Sequence, residues 1–300
     1  MSNLIFAFMQ AYGGDERESI LLARSLRTFG GALANQPLWL MMPENLEQVS
    51  EPTLRALEGL GVQVHRFDVP EDALKFPFGG KVHAAAAAES LASARADVLV
   101  WMDSDTVFAG EPAEFLLGEN INFGYRPVML KNISSLFDEP VNAFWSFIYE
   151  GCGTPVEKIP PMLTTVDAVR IRPQYNAGIM CLRPQKELLR RWRDHFGKLY
   201  QRPELTLYYE KHLLYRIFVH QSILSATLLA MLEPSEMQDL GPRINLPIFL
   251  DAEPELFHKA VTLRYDEFKF FEGPDWEEKV DLGESFQGWL QTQVGNLNSG

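Results

Sequence analysis

The chain has 300 residues, 46% of them hydrophobic, and 27 lysines and arginines against 40 aspartates and glutamates leave a formal net charge of −13. That apolar content excludes wholesale disorder, and at about 150 residues per domain the length allows one large domain or two ordinary ones. The acidity argues against a nucleic-acid or anionic-membrane binder, because phosphate contacts need clustered Lys and Arg. The two cysteines, Cys152 and Cys181, make neither a disulfide framework nor a four-thiolate zinc site and suit a reducing compartment.

Met1-Ser2-Asn3 carries no basic residue ahead of the short apolar run Leu4–Met9, so the start does not read as a signal peptide. No unbroken apolar stretch is long enough to span a bilayer. The expectation is a soluble, cytoplasmic chain with no transmembrane segment.

Leu4–Met9 reads instead as a strand buried on both faces. Gly13-Gly14 breaks it, and Asp15 is placed to cap a helix running to about Phe29, with Ile20, Leu21, Ala23, Leu26 and Phe29 at helical spacing. Leu38–Met42 is a second buried strand. A helix from Pro52 to Leu60 stops at Gly61, and Val62–Val64 is a third strand. Lys81–Arg95, with five consecutive alanines, is a helix, and Ala96–Met102 is the strongest strand in the chain. This strand–helix alternation predicts βαβ units in a doubly wound, mostly parallel α/β sheet with right-handed crossovers.

Beyond residue 110 the pattern loosens. Ile121–Met129 reads as a strand, Val141–Tyr149 as an ambiguous aromatic segment and Gly151–Pro161 as a loop. Ala168–Ile171 and Gly178–Leu182 are short strands, and Gln185–Tyr200 and Ile217–Leu232 are helices. The last seventy residues mix short strands with Pro-rich turns, and the end, 291–300, reads as a disordered tail. No low-complexity linker and no repeat divides the chain. The expectation is one domain over 1–300, with a nucleotide-binding half at 1–110 and an elaborated half at 111–290.

Asp103-Ser104-Asp105 follows directly on the strongest strand. Open α/β sheets bind ligands beyond the carboxyl ends of their strands. Two carboxylates two residues apart there repel each other, and a hard divalent cation, Mg²⁺ or Mn²⁺, relieves that repulsion while bridging to phosphates. Two families end a strand this way. Asp103-Ser104-Asp105-Thr106-Val107 fits the D-x-D-x-T/V of haloacid-dehalogenase-type phosphatases loosely, but that motif sits on the first strand of its domain, and here two or three βα units precede it.

The closer resemblance is to the GT-A glycosyltransferases, in particular the glycogenin- and galactosyltransferase-like (family 8-like) group. Three stretches carry it, in order. Lys81-Val82-His83-Ala84 opens the helix leading into Val98–Val107, Tyr175-Asn176-Ala177-Gly178-Ile179-Met180 resembles the family's F/Y-N-A-G segment, and His220-Gln221-Ser222-Ile223-Leu224 resembles its D-Q-x segment. Together they cover about half the chain. The resemblance implies a Rossmann-like GT-A sheet and transfer of a sugar from a nucleotide-diphosphate sugar, UDP-linked first, to an unknown acceptor (a saccharide, a protein or a small molecule). It implies Asp103 and Asp105 as ligands of Mn²⁺ or Mg²⁺ on the diphosphate. It sets Ala11, Tyr12, Lys81, Ser104, Asn176, Gly178 and Arg264 around the donor, and Gln221, His220 and Asn176 against the reacting sugar.

Two positions depart from the pattern. His220 stands where the family has Asp, and the stretch Val261–Asp266 puts Arg264 where it has a third, histidine, metal ligand; an arginine cannot ligate a cation, which leaves three readings open: Asp266 takes the ligand's place, metal binding is weak, or Arg264 pairs with the diphosphate directly. A non-catalytic nucleotide-sugar-binding relative is the alternative those departures raise, and the phosphatase is the other. Cys152 and Cys181 read as buried small hydrophobes, and the late aromatics Phe268, Phe270, Phe271 and Trp276 as core.

Overall fold

The computed structural model describes residues 3–10, 13–44, 46, 49–249, 254–273 and 275–298. In chain order its first half comprises β1 (Leu4–Met9), α1 (Arg17–Phe29), β2 (Leu38–Pro43), α2 (Glu51–Gly59), β3 (Val62–Phe67), α3 (Glu71–Lys75), α4 (Gly79–Ala92), β4 (Val98–Asp103) and β5 (Thr106–Phe108). There follow β6 (Phe123–Tyr125), α5 (Ala143–Cys152), β7 (Met162–Leu163), β8 (Arg170–Ile171), β9 (Ile179–Leu182), α6 (Leu188–Leu199), α7 (Pro203–Lys211) and α8 (Leu213–Met231). The end of the chain holds β10 (Met237–Asp239), β11 (Leu246–Pro247), α9 (Pro254–His258), β12 (Thr262–Arg264), α10 (Trp276–Lys279) and α11 (Glu284–Asn298).

The central sheet has the order β10-β6-β9-β4-β1-β2-β3. β3, β2, β1 and β4 are mutually parallel, β9 runs against both β4 and β6, and β10 is parallel to β6. The sheet therefore crosses the division expected at residue 110, because β6, β9 and β10 of the second half extend the first half's strands. The unbroken apolar runs are explained by helices on both faces. Along β1, Leu4, Phe6 and Phe8 enter one core with Ile20 and Leu22 of α1, while Ile5, Ala7 and Met9 enter the other with Ala84, Ala85 and Ala88 of α4. The alanines of α4 keep its backbone close to the sheet and to α6. Glu89 of α4, 0% exposed, accepts the first backbone N–H groups of α6, from Leu189 at 3.1 Å and Arg190 at 2.8 Å.

A second, small sheet has the order β11-β12-β5, with β12 antiparallel to β5. It folds the end of the chain back beside the residues that follow β4, over a third core that contains Phe268, Phe271 and Trp276.

Some elements differ from the sequence reading. The ambiguous 141–149 stretch is a helix, α5. Asn142 caps it by accepting the Trp145 N–H at 3.0 Å, and Gly153 closes it at φ 71°. Only Phe123–Tyr125 of the strand expected over 121–129 is formed. The tail expected at 291–300 is instead the second half of α11 as far as Asn298, anchored by buried Leu290 and Val294, because the polar end still carries an apolar stripe. α8 is long and apolar enough to cross a membrane by length and composition, but it packs against α5, α6 and α7, with Val219, Ile223, Leu224 and Leu228 inside the core. Cys152 and Cys181 are buried free thiols, as expected.

Candidate functional site

A cavity of about 540 Å³ opens at the carboxyl ends of β1 and β4, where Met9 lies in register with Asp103. The two strands are adjacent, and the chain leaves them toward opposite edges of the sheet. That divergence makes the crevice.

Asp103, the last residue of β4, lines the cavity. Its backbone N–H donates to the Gly178 carbonyl at 2.8 Å, which ties β4 to the start of β9. The Lys81 ammonium spans both carboxylate oxygens, at 2.6 Å from Oδ1 and 2.7 Å from Oδ2. Lys81 is delivered by the first turn of α4, whose start is unusually tight. A Cβ on Gly79 would fall 2.0 Å from the Ala73 carbonyl oxygen, and Phe78 before it is left-handed at φ 59°. A phenylalanine there costs about 1–2 kcal/mol of backbone strain. Its ring, 42% exposed at the cavity lip, lies 4.6 Å from the Lys81 ammonium on one contact and 4.6 Å from the His220 ring on another.

Asp105 is buried, and its Oδ2 receives the Arg264 Nε–H at 2.9 Å. The register of the small sheet makes this pair: Arg264 opposes Thr106, and the Tyr265 N–H reaches the Asp105 carbonyl at 3.2 Å. Arg264 Nη2 donates to Asp266 at 3.1 Å. Burial pushes the Asp105 carboxyl up against the pull of Arg264. Arg264 is desolvated too, yet the carboxylates of Asp105 and Asp103 hold it charged. Asp105 Oδ1 is buried with no hydrogen-bond partner among the described residues.

Ser104 points the other way and donates its hydroxyl to Glu18 Oε2 at 2.8 Å. Glu18, in the first turn of α1, also lines the cavity and accepts the Phe268 N–H at 3.3 Å. Burial pushes its carboxyl up to about 7, with the Asp105 charge adding to the effect and the Ser104 hydrogen bond opposing it. The sequence reading missed Glu18, Phe78 and Trp101, all on the cavity lining; the buried Trp101 indole N–H has no hydrogen-bond partner among the described residues. Glu18 carries no motif. For Phe78 the Pro77-Phe78-Gly79-Gly80 run was the available signal.

The residues expected against the reacting sugar sit elsewhere. Asn176 Oδ1 accepts the Gly178 N–H at 2.7 Å, and Gln221 Oε1 accepts the Ala177 N–H at 3.0 Å. His220 is buried under Phe78, with its Nδ1 2.7 Å from the Ile217 carbonyl, so Nδ1 donates. Burial, with Lys81 nearby, drives its protonation well below the ordinary histidine range. Gln221, His220 and Asn176 do not line the cavity. The side-chain oxygens of Asn176 and Gln221 and Nδ1 of His220 are engaged by the protein itself, and the first two brace the 175–178 turn behind the wall. Gly178 is also behind the wall, but it sets the position of Asp103: a Cβ there would lie 3.0 Å from Asp103 Oδ2. Lys81, Ser104, Arg264, Asp103 and Asp105 are brought together as expected. Ala11 and Tyr12 lie outside the described residues.

A divalent cation needs several open oxygen or nitrogen donors. Lys81 engages both oxygens of Asp103 and Arg264 engages one of Asp105, which leaves Asp105 Oδ1 alone. Among the described residues no group of three His, Cys, Asp or Glu side chains is placed to hold a metal. The donor set does not fit a two-aspartate metal centre.

Comparison with known proteins bears on the chemistry. The profile of the Rhodobacterales glycosyltransferase domain matches residues 6–224. No curated protein matches the sequence. Among solved structures, the galactosyltransferase LgtC in complex with donor and acceptor sugar analogues superposes with a TM-score of 0.50 at 13% identity, covering 98% of this chain and 95% of that one. An active-site mutant of LgtC gives 0.50 at 14% identity over 98% and 95%. The apo form of mouse xyloside xylosyltransferase 1 gives 0.46 at 16% identity over 88% and 97%. These identities speak to the fold, which is GT-A, and the family match sets aside the phosphatase alternative. The chain belongs to the Rhodobacterales glycosyltransferase domain family and is a glycosyltransferase enzyme.

Proposed function

We propose that this glycosyltransferase takes its sugar from a nucleotide-diphosphate sugar, with UDP-linked donors first in order, and that the diphosphate sits over Asp103-Ser104-Asp105. The observation that carries the reading is that Lys81 and Arg264 line one cavity of an acidic chain, Lys81 held by Asp103 and Arg264 by Asp105. The volume of about 540 Å³ is in the range of small-molecule sites. In transfer, the bond between the anomeric carbon and the β-phosphate oxygen breaks and its electron pair leaves with the diphosphate. The acceptor hydroxyl oxygen bonds to the anomeric carbon, and its proton passes to the departing diphosphate and from there to water. Fixed cations beside the leaving group stabilise the charge as it develops.

The sequence pattern also assigns Mn²⁺ or Mg²⁺ to Asp103 and Asp105. One observation favours that second reading, the unpartnered Asp105 Oδ1. The ion pairs on the remaining oxygens weigh against it.

A thermal-shift panel of UDP-, GDP- and dTDP-sugars, each with EDTA and with Mn²⁺, tests the donor. At about a hundred times Kd a bound donor adds about 2.7 kcal/mol to stability, a rise of several degrees. No shift with any donor under either condition would refute the reading.

A further inference from the structure

The carboxylate pair at the end of β4 has two cations of its own. Asp103 shares both oxygens with Lys81, and Asp105 gives Oδ2 to Arg264. The four side chains are mostly withdrawn from solvent, at 16% and 12% exposure for Asp103 and Lys81 and 8% and 22% for Asp105 and Arg264. Partly desolvated, such pairs are held strongly, and solvent ions screen them little. Neither cation is a loosely tethered surface group. Arg264 is locked by the pairing of β12 with β5, and Lys81 by the tight start of α4 and the Phe78 ring.

Of the four Asp103 and Asp105 carboxylate oxygens, a divalent ion entering this place meets one, Asp105 Oδ1, that no cation or hydrogen bond holds among the described residues, with a guanidinium within hydrogen-bonding distance of the same carboxylate; Asp266 and Glu267 stand further along the lining. To gain Asp103 or Asp105 Oδ2 as ligands it must displace a cation that stays tethered nearby, and like charges at that range repel. The guanidinium keeps spare capacity. Nε and Nη2 are used by Asp105 and Asp266, whereas Nη1 takes part in neither bond. Arginine carries five N–H donors in a planar fork that matches phosphate oxygens.

We propose that Arg264 and Lys81 are themselves the cations that hold the donor's diphosphate, with Asp103 and Asp105 as their counter-ions, so that donor binding is independent of divalent metal. This rests on the nucleotide-diphosphate reading above and names what recognises that group. Asp105 Oδ1 is then left to accept a hydroxyl of the donor rather than to ligate a metal. In this arrangement the aspartates aim the two cations, and Arg264 and Lys81 neutralise the leaving diphosphate.

The test uses the full-length protein with UDP, GDP and dTDP as probes, by isothermal titration in EDTA and again with Mn²⁺ or Mg²⁺. At least one nucleotide is expected to bind in EDTA, with Kd changed by less than about threefold on adding metal. Arg264→Ala is expected to weaken it by about tenfold to a hundredfold, and Arg264→Lys by less, because the charge survives and the fork does not. Arg264→His removes the guanidinium and sets an imidazole beside Asp105, and its nucleotide binding is expected to become dependent on Mn²⁺. Mn²⁺ titration of the wild-type protein alone, followed by electron paramagnetic resonance, is expected to show no stoichiometric site. Two wild-type results overturn the proposal: nucleotide binding that needs metal by about tenfold or more, or a stoichiometric Mn²⁺ site abolished by Asp103→Asn. Both leave the nucleotide-diphosphate reading standing. Absence of nucleotide binding with and without metal overturns that reading and the proposal together.

Discussion

Replacing Glu18 with glutamine separates the cost of a buried charge from the hydrogen bonds around it. The carboxyl takes the Ser104 hydroxyl and the Phe268 N–H, and it is pushed up to about 7 from an ordinary 4.5, first by burial and then by the Asp105 charge. A glutamine has the same shape. Its oxygen can take the Phe268 N–H, and the Ser104 hydroxyl can turn to accept from its amide. The folded-state value exceeds the unfolded one, so the folded protein holds this proton more tightly. The associated stability is fully present below pH 4.5 and is lost as pH rises through 7. At about 1.4 kcal/mol per pH unit, the interval from 4.5 to about 7 is worth roughly 3 kcal/mol in all. About 2–3 kcal/mol of that falls between pH 5 and pH 8. Glu18→Gln carries no such proton. The assay is urea unfolding of wild type and variant at both pH values and equal ionic strength, with m-values compared to check that the same transition is seen. The stability difference between the two proteins is expected to shift by about 2–3 kcal/mol in favour of the variant on going from pH 5 to pH 8. A difference that stays constant over that range would refute the reasoning.

Two other perturbations follow from the geometry. Glu89→Ala strips the buried start of α6 of the acceptor for the Leu189 and Arg190 N–H groups and removes one of the two carboxylates beside the Arg190 guanidinium, at a cost of about 2–4 kcal/mol in urea unfolding. A loss under about 1 kcal/mol would show that water replaces the carboxylate there. Gly178→Ala places a methyl group 3.0 Å from Asp103 Oδ2 and 2.9 Å from Asn176 Oδ1. Nucleotide affinity in calorimetry is expected to fall by about tenfold, with a stability loss of no more than about 1–2 kcal/mol; unchanged affinity would detach Gly178 from the alignment of Asp103.

Much of the architecture is determined by local sequence. Leu4–Met9 and Val98–Met102 have no polar alternation, and a strand with that composition is stable only with cover on both faces. The alanine run of α4 marks a helix that must pack closely. Asp103-Ser104-Asp105 declares itself because two acids ending such a strand need partners. The helix at 143–152 was legible in its caps, Asn142 and Gly153, but its aromatic composition concealed its period. The partners of the aspartates were not legible in the same way. Arg264 meets Asp105 across 159 positions of chain, and Glu18 meets Ser104 across 86. Those meetings depend on strand register and on how the first turn of α1 faces the end of β4, which no local spacing encodes. Sequence by itself determined that two carboxylates stand at the mouth of a parallel sheet. Only the tertiary structure decided that Lys81 and Arg264 neutralise them, because charges compensate by distance in space and not by distance along the chain.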